Sequence, residues 1–188
     1  MAKIQPVILL TGRPGVGKTT IIREIVELTK GQAGGFYTRE IRWENRRIGF
    51  EIVTLAGERA LLATKDPGIS FPHQVLFVGF KINLDGIDLV AVPALLKAAA
   101  EHKLVIVDEI GPMEIYSQPF RQAVSGLIED PAIPVIGTIV QRPHTFADQI
   151  KAHPRVTLQP VTIENRERLS QDVYSLLVES AGFDPSTL

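Results

Sequence analysis

The sequence predicts an α/β fold of three layers, with helices on both faces of a mostly parallel central sheet and an antiparallel hairpin inserted near its start. Three observations carry this expectation. Val7-Ile8-Leu9-Leu10 is a short apolar run that leads through the glycine-rich Gly12-Arg13-Pro14-Gly15-Val16-Gly17-Lys18-Thr19 into a segment with helical apolar spacing, Thr20 to Leu28. From Asp88 onward, apolar runs of strand length alternate with amphipathic helical stretches. Strands buried on both faces and separated by helices imply a parallel sheet. Between these two regions the apolar periodicity changes to two, the period of a strand with one face on the core.

In chain order, Gly31 and Gly34-Gly35 break the first helix. Phe36 to Trp43 and Arg47 to Leu55 then alternate and flank Glu44-Asn45-Arg46, which reads as a hairpin with a short turn. Residues 59–83, punctuated by Pro67-Gly68, Pro72 and Gly79, predict a further strand or two with loops, so that 36–83 forms the antiparallel insertion. A helix through Ala91 to His102 precedes the strand Leu104-Val105-Ile106-Val107. A helix from Gln118 to Glu129, a strand from Pro134 to Val140, a helix from Thr145 to Ala152, a strand from Val156 to Val161 and a last amphipathic helix from Glu164 to Val178 complete the pattern. With no internal repeat, low-complexity tract or linker, residues 1–188 are expected to form one domain, long enough to cover both faces of the sheet.

The loop between the first strand and helix is a complete P-loop. Gly12, Gly15 and Gly17 permit the backbone turns that aim successive N–H groups at one anion, and the helix behind them adds the positive end of its dipole. Such a nest suits a polyphosphate. Lys18 reaches the β- and γ-phosphates as a point charge, and the Thr19 hydroxyl is the natural ligand for a magnesium ion bridging the same groups. The expected nucleotide-binding residues are therefore Gly12, Arg13, Pro14, Gly15, Val16, Gly17, Lys18, Thr19 and Thr20.

The second half of a nucleotide site lies about ninety residues on, where the apolar run Leu104 to Val107 ends in two adjacent acids, Asp108 and Glu109. Ligands of open α/β sheets bind at the carboxyl ends of strands, so Asp108 is placed to hold magnesium directly or through a water. Glu109 is placed to accept a hydrogen bond from an attacking water and align it with the γ-phosphorus, making it the catalytic partner of Lys18. Adjacent side chains on a strand diverge, which allows the two acids separate tasks. Alone, such a pair reads as a solvated loop start or a helix cap. Coupled to a full P-loop, with elements between them able to place another strand in the gap, it reads as a Walker B strand.

With these residues assembled, the chain resembles the small P-loop nucleoside-triphosphatase family that comprises the thermophilic nucleoside-triphosphatase and the cancer-related nucleoside-triphosphatase. The resemblance covers nearly the whole length. Its specific elements are Gly12 to Thr20, Gly35-Phe36-Tyr37-Thr38-Arg39-Glu40-Ile41-Arg42 followed by Arg47-Ile48-Gly49-Phe50, Val107-Asp108-Glu109-Ile110-Gly111-Pro112-Met113-Glu114, and Asn165-Arg166. It implies a P-loop fold of the additional-strand, catalytic-glutamate class and slow, magnesium-dependent hydrolysis of several nucleoside triphosphates to diphosphates. One segment departs from the family pattern. Val78-Gly79-Phe80-Lys81-Ile82-Asn83 stands where Val-Gly-Xaa-Tyr-Xaa-Val is expected, so no base-stacking role is assigned there. The match at Asn165-Arg166 makes that pair a candidate for contacts near the nucleotide, against its reading as an exposed first turn of the last helix.

Composition narrows the partners. A formal net charge of −1 argues against a chain-wide basic surface for nucleic acid. The lack of cysteine excludes disulfides, thiolate zinc sites and thiol nucleophiles, and suits a reducing compartment. His73, His102, His144 and His153 have no metal-ligand spacing. No stretch approaches the ~18 to 20 apolar residues that cross a bilayer. Cleavage of the N-terminal apolar run as a signal would destroy the P-loop, so the expected location is cytoplasmic. A monomer is the expected state, although nothing in the sequence fixes it. Two alternatives to the hydrolase stay open: a P-loop kinase that passes the γ-phosphoryl group to a small acceptor, and a nucleotide-switched nucleic-acid-binding module built on the hairpin's Arg39, Arg42, Arg46 and Arg47 with Phe36, Tyr37, Trp43 and Phe50. Against the latter, these arginines read equally as solvated or paired with Glu40, Glu44 and Glu51. One hairpin arginine, or Arg142, is a candidate to face the γ-phosphate.

Overall fold

The computed structural model describes residues 4–181. Its elements are β1 (Val7–Thr11), α1 (Lys18–Leu28), β2 (Ala33–Trp43), β3 (Arg46–Thr54), β4 (Arg59–Thr64), β5 (Gln74–Phe77), β6 (Phe80–Asn83), α2 (Leu84–Gly86), α3 (Val92–Ala100), β7 (Leu104–Ile110), α4 (Gln118–Glu129), β8 (Val135–Ile139), α5 (Thr145–Lys151), β9 (Val156–Pro160) and α6 (Arg166–Ala181). The strands form one nine-stranded sheet in the order β5-β6-β4-β3-β2-β7-β8-β1-β9. From β2 to β9 every pairing is parallel, and from β2 to β5 every pairing is antiparallel.

The alternation of side chains along β1 explains the layers. Val7 and Leu9 face the core that packs α3, α4 and α5 through Leu95, Phe120, Leu127 and Ile150. Ile8 and Leu10 face the opposite core, which packs α1 and α6 through Ile21, Ile25, Leu169 and Val173. A strand apolar at every position is thus a strand buried on both faces.

Three details differ from the sequence expectation. Phe36 and Tyr37 pair in parallel with Val107 and Asp108, so the antiparallel part grows out of a core strand and extends the central sheet without a break. Residues 59–83 hold three strands, because the left-handed Val78-Gly79 pair (φ 48° and 78°) folds β5 tightly back onto β6. The helix expected from Ala91 starts at Leu84 and runs through a π-helical turn, Ile87–Ala91, before α3. The turn between β2 and β3 is as short as expected: Glu44 and Asn45 both take positive φ, 45° and 62°, which matches the twist of a two-residue hairpin.

Candidate active site

The P-loop leaves β1 and enters α1 through Gly15 and Gly17, whose φ angles of 78° and 114° lie in the left-handed region that favours glycine. Gly17 caps α1 without a side-chain bond, leaving the first helical N–H groups directed into the loop. Lys18 begins the helix and folds back over the loop, its Nζ donating to the carbonyl of Gly12 at 3.2 Å and of Arg13 at 3.5 Å. The ammonium group thereby sits over the nest that its own loop forms.

Asp108 and Glu109 lie near the end of β7, where its register with β8 is interrupted between Val107 and Ile110, and they occupy different surroundings. Asp108 points inward and is only 1% exposed. Its Oδ1 accepts a hydrogen bond of 2.6 Å from the hydroxyl of Thr138 on β8, while Oδ2, also buried, has no partner among the described residues. Burial raises the Asp108 pKa, opposed by the Thr138 hydrogen bond, the Thr19 hydroxyl and the Lys18 charge. The Thr19 and Lys18 effects place the P-loop against Asp108. Glu109 points into the cleft beside Lys18 and Thr19. Its pKa is raised as well, by burial first and then by the neighbouring Asp108 charge, against the pull of Lys18.

The strand between the P-loop strand and β7 is β8, which follows the acids in sequence. The elements between the P-loop and the acids supply no strand to that gap. Gly137 lets β8 approach β7 closely: a Cβ there would fall 2.3 Å from the Val107 carbonyl oxygen.

Strand β2 closes the cleft. Its first residues, Ala33 to Tyr37, pair with β7, and beyond the Tyr37–Asp108 register position the strand continues paired with β3. This overhang and the β3 strand paired with it carry Arg39 and Arg47, respectively, to the wall of a cleft of about 450 Å³ whose other walls include Gly15, Lys18, Thr19, Arg23 and Glu109. Arg39 pairs with Glu51, and Arg47 and Arg42 both pair with Glu40. These pairs include two of the three glutamates named from sequence. The aromatic residues do not form an open platform: Phe36 is in the core, Phe50 packs on Phe80 with Arg47 over its ring, and Arg23 covers Tyr37. Trp43 is the exposed one of the set.

On the other side of the P-loop a hollow of about 570 Å³ is bounded by Gly12, Arg13, Gln141, Thr162, Ile163 and Arg166. Asn165 shapes it by accepting from the Thr162 N–H and donating to the Pro160 carbonyl, and Arg166 opens α6 at its rim. Lys81, in the departing segment, donates to the carbonyls of Asp66, Pro67 and Ile69, which fastens that loop and lies in neither cleft. A further hollow of about 380 Å³ lies between Gly34, Leu55 and Lys97 and contains none of the expected site residues.

Sequence reasoning did not single out Arg23, Thr138 or Glu114 by role. Arg23 had a faint signal, a cation one helical turn beyond the P-loop. Thr138 had another, a hydroxyl inside an otherwise apolar strand. Glu114 lies within the matched motif but turns inward, 4% exposed, which no local pattern reveals. Among the described residues no group of three or more His, Asp or Glu gathers as a metal cluster.

A glycine-rich loop between β1 and α1, with a buried aspartate across one intervening strand, defines a P-loop protein of the additional-strand class. Residues 7–174 match the family described as NTPase, and the chain belongs to that family. It is similar to nucleoside-triphosphatase THEP1 of Thermotoga petrophila, 41% identical over 180 residues, which are 96% of this chain and 97% of that protein. It is also similar to human cancer-related nucleoside-triphosphatase, 36% identical over 186 residues, covering 92% of this chain and 97% of the human one. Among solved structures, the crystal structure of THEP1 from the hyperthermophile Aquifex aeolicus superposes with a TM-score of 0.81 at 36% identity, over 91% of this chain and 98% of that one. The solution structure of the human cancer-related nucleoside triphosphatase gives a TM-score of 0.78 at 34% identity, over 94% and 98%.

Proposed function

We propose that this chain, acting as one domain, hydrolyses nucleoside triphosphates to diphosphate and phosphate in the cleft between the P-loop and the β2–β3 overhang. The observation that carries the reading is that Lys18 and Glu109, ninety-one positions apart in sequence, line one cleft. The names of the relatives support the same reaction. The P-loop N–H groups and Lys18 bind and orient the β- and γ-phosphates. Water attacks the γ-phosphorus, its proton passes to the Glu109 carboxylate, the bond from the γ-phosphorus to the bridging oxygen breaks, and the nucleoside diphosphate leaves. The raised Glu109 pKa improves it as a proton acceptor near neutral pH while Lys18 keeps it ionisable.

Magnesium fits this donor set. A buried carboxylate oxygen without a partner costs free energy unless something binds it, and Asp108 Oδ2 is such an atom. Thr19 and Asp108 are the residues that would hold the ion, which usually keeps one or two protein ligands and fills the rest with phosphate and water. When bound, it neutralises charge on the phosphates. Broad base use follows from a cradle that reads phosphates, beside a wide hollow closed by the Thr162-Ile163 loop. Cytoplasmic location, a monomeric state and the absence of a nucleic-acid partner complete the reading. The paired hairpin arginines and the lack of an open aromatic platform favour the last of these. Among the described residues no helix is long and apolar enough to cross a membrane.

The lining of the cleft favours one second reading. Arg23, Arg39 and Arg47 line it along with the P-loop residues, and such cations suit a small anionic acceptor that takes the γ-phosphoryl group in place of water. One experiment addresses both readings. Incubation with magnesium and each nucleoside triphosphate, with and without phosphorylated acceptors, should release free phosphate without an acceptor, and Glu109→Gln should slow single-turnover release by roughly 10² to 10⁴ while nucleotide still binds. Release at the wild-type rate in Glu109→Gln would remove Glu109 as the base. Label appearing in the acceptor instead of in phosphate would replace the hydrolase by the kinase.

A further inference from the structure

We propose that Glu114 is a positioning residue for this reaction: buried beneath the turn after β7 beside Gly111, it keeps the Glu109 carboxylate aimed at the γ-phosphate cleft. The proposal rests on the hydrolase reading of that cleft.

The geometry is a convergence of two acids on one space. Glu114 opens a short 3₁₀ turn, Glu114–Tyr116, yet its side chain turns inward and is only 4% exposed. A carboxyl group in a turn ordinarily faces water, and burying one costs more than burying an apolar side chain of the same size. Among the described residues it forms no salt bridge to offset that cost. A Cβ placed on Gly111 would stand 2.7 Å from Glu114 Oε2 and 3.2 Å from both Cγ and Cδ of Glu109. The missing side chain at 111 thus leaves one space that Glu114 Oε2 and the Glu109 side chain both border. The N–H groups of Gly111 and of Glu114 itself bond to the Glu114 carboxyl and fix its direction.

The charged groups acting on Glu114 are Glu109 and, more weakly, Asp108, both from β7. Among its neighbours, Asp88 on the π-helical turn is bound by Ser117, and Arg121 of α4 is bound to the Ile115 carbonyl. Burial, then the Glu109 charge, pushes the Glu114 pKa up to about 8, so at pH 7 the group carries its proton. A neutral acid adds no negative charge near an incoming triphosphate. Its O–H can engage one oxygen of Glu109 and leave the other for the attacking water. Above pH 8 the proton is lost, a second carboxylate faces Glu109, and the arrangement breaks by like-charge repulsion.

Two variants separate positioning from mere structure. Glu114→Gln keeps a neutral hydrogen-bonding group that cannot ionise, and it should retain most of the wild-type kcat at pH 7 while losing the fall in kcat expected of the wild type above about pH 8. Glu114→Leu should lower kcat by about 10- to 100-fold with the affinity for magnesium-ATP unchanged, as expected when a base is misplaced by a fraction of an ångström to an ångström. Carbon-13 NMR of the side-chain carboxyls should also show, in the wild type, a glutamate titrating near pH 8 that is absent in Glu114→Gln. That measurement does not depend on turnover. A Glu114→Gln protein as inactive at pH 7 as Glu114→Leu would overturn the proposal, as would one with the wild-type alkaline fall. So would wild-type kcat in Glu114→Leu. If the wild type releases no phosphate at all, the hydrolase reading fails first, whereas normal hydrolysis insensitive to residue 114 overturns only the role given to Glu114.

Discussion

Asp108 shows how one residue's surroundings constrain its task. One carboxylate oxygen is satisfied by Thr138 and the other is buried with no partner among the described residues, so the site is half built for a hydrogen-bonded structural role and half open to a cation. Replacing it by asparagine keeps the Thr138 contact and removes the charge. We expect Asp108→Asn to raise the magnesium concentration needed for half-maximal turnover by roughly 10- to 100-fold with little change in thermal stability. A magnesium titration of initial rates checks this, and an unaltered midpoint would return Asp108 to a structural role. Identity alone marked Asp108, Glu109 and the P-loop residues as candidates, because their chemistry depends on residue type and local spacing. Thr138 left only a faint mark in the sequence, a hydroxyl in an apolar strand, since its importance comes from the neighbouring strand that faces it.

At the scale of elements, the length of β2 decides what the cleft contains. Its second half outruns β7 and, with β3, brings the hairpin arginines beside the P-loop, but they are not equivalent: Arg39 of β2 and Arg47 of β3 reach the cleft wall, whereas Arg42 pairs with Glu40 and does not line it. If one of the pair stabilises charge on the γ-phosphate, alanine at Arg39 or at Arg47 should slow phosphate release by about 10³ or more, while alanine at Arg42, Arg46 or Arg142 leaves it near normal. Single-turnover assays of all five variants decide it, and near-normal rates in both Arg39→Ala and Arg47→Ala would eliminate the idea. The pairing of β2 with β7 has its own weak point at Gly35, where φ is 109° and an added Cβ would fall 2.2 Å from the Ile106 carbonyl oxygen. Gly35→Ala should cost at least about 2 kcal/mol from backbone strain and overpacking. A urea midpoint lowered at unchanged slope is the expected signature.

For the whole molecule, binding and stability are linked, because a nest assembled from β1, α1 and β7 exists only in the folded chain. A non-hydrolysable triphosphate with magnesium at about 100 times its Kd should stabilise the fold by ~2.7 kcal/mol, a rise in Tm of roughly 5 to 11 °C for a chain of this size. Calorimetry should find that rise in the wild type and little of it at the same ligand concentration in Lys18→Ala. The sequence by itself determined the α/β class, the alternation of helix and strand after Asp88 and the hairpin, and it marked the candidate site residues, since each is written in local periodicity, glycine placement and residue type. Only the tertiary structure decided that β8 enters between the P-loop strand and the acids, that β2 belongs to both the parallel and the antiparallel halves of the sheet, and that Glu114 turns inward to meet Glu109. These are contacts between segments distant in sequence or around a turn, set by how two cores close on one sheet, and no local pattern encodes which strand or carboxyl group will lie across the gap.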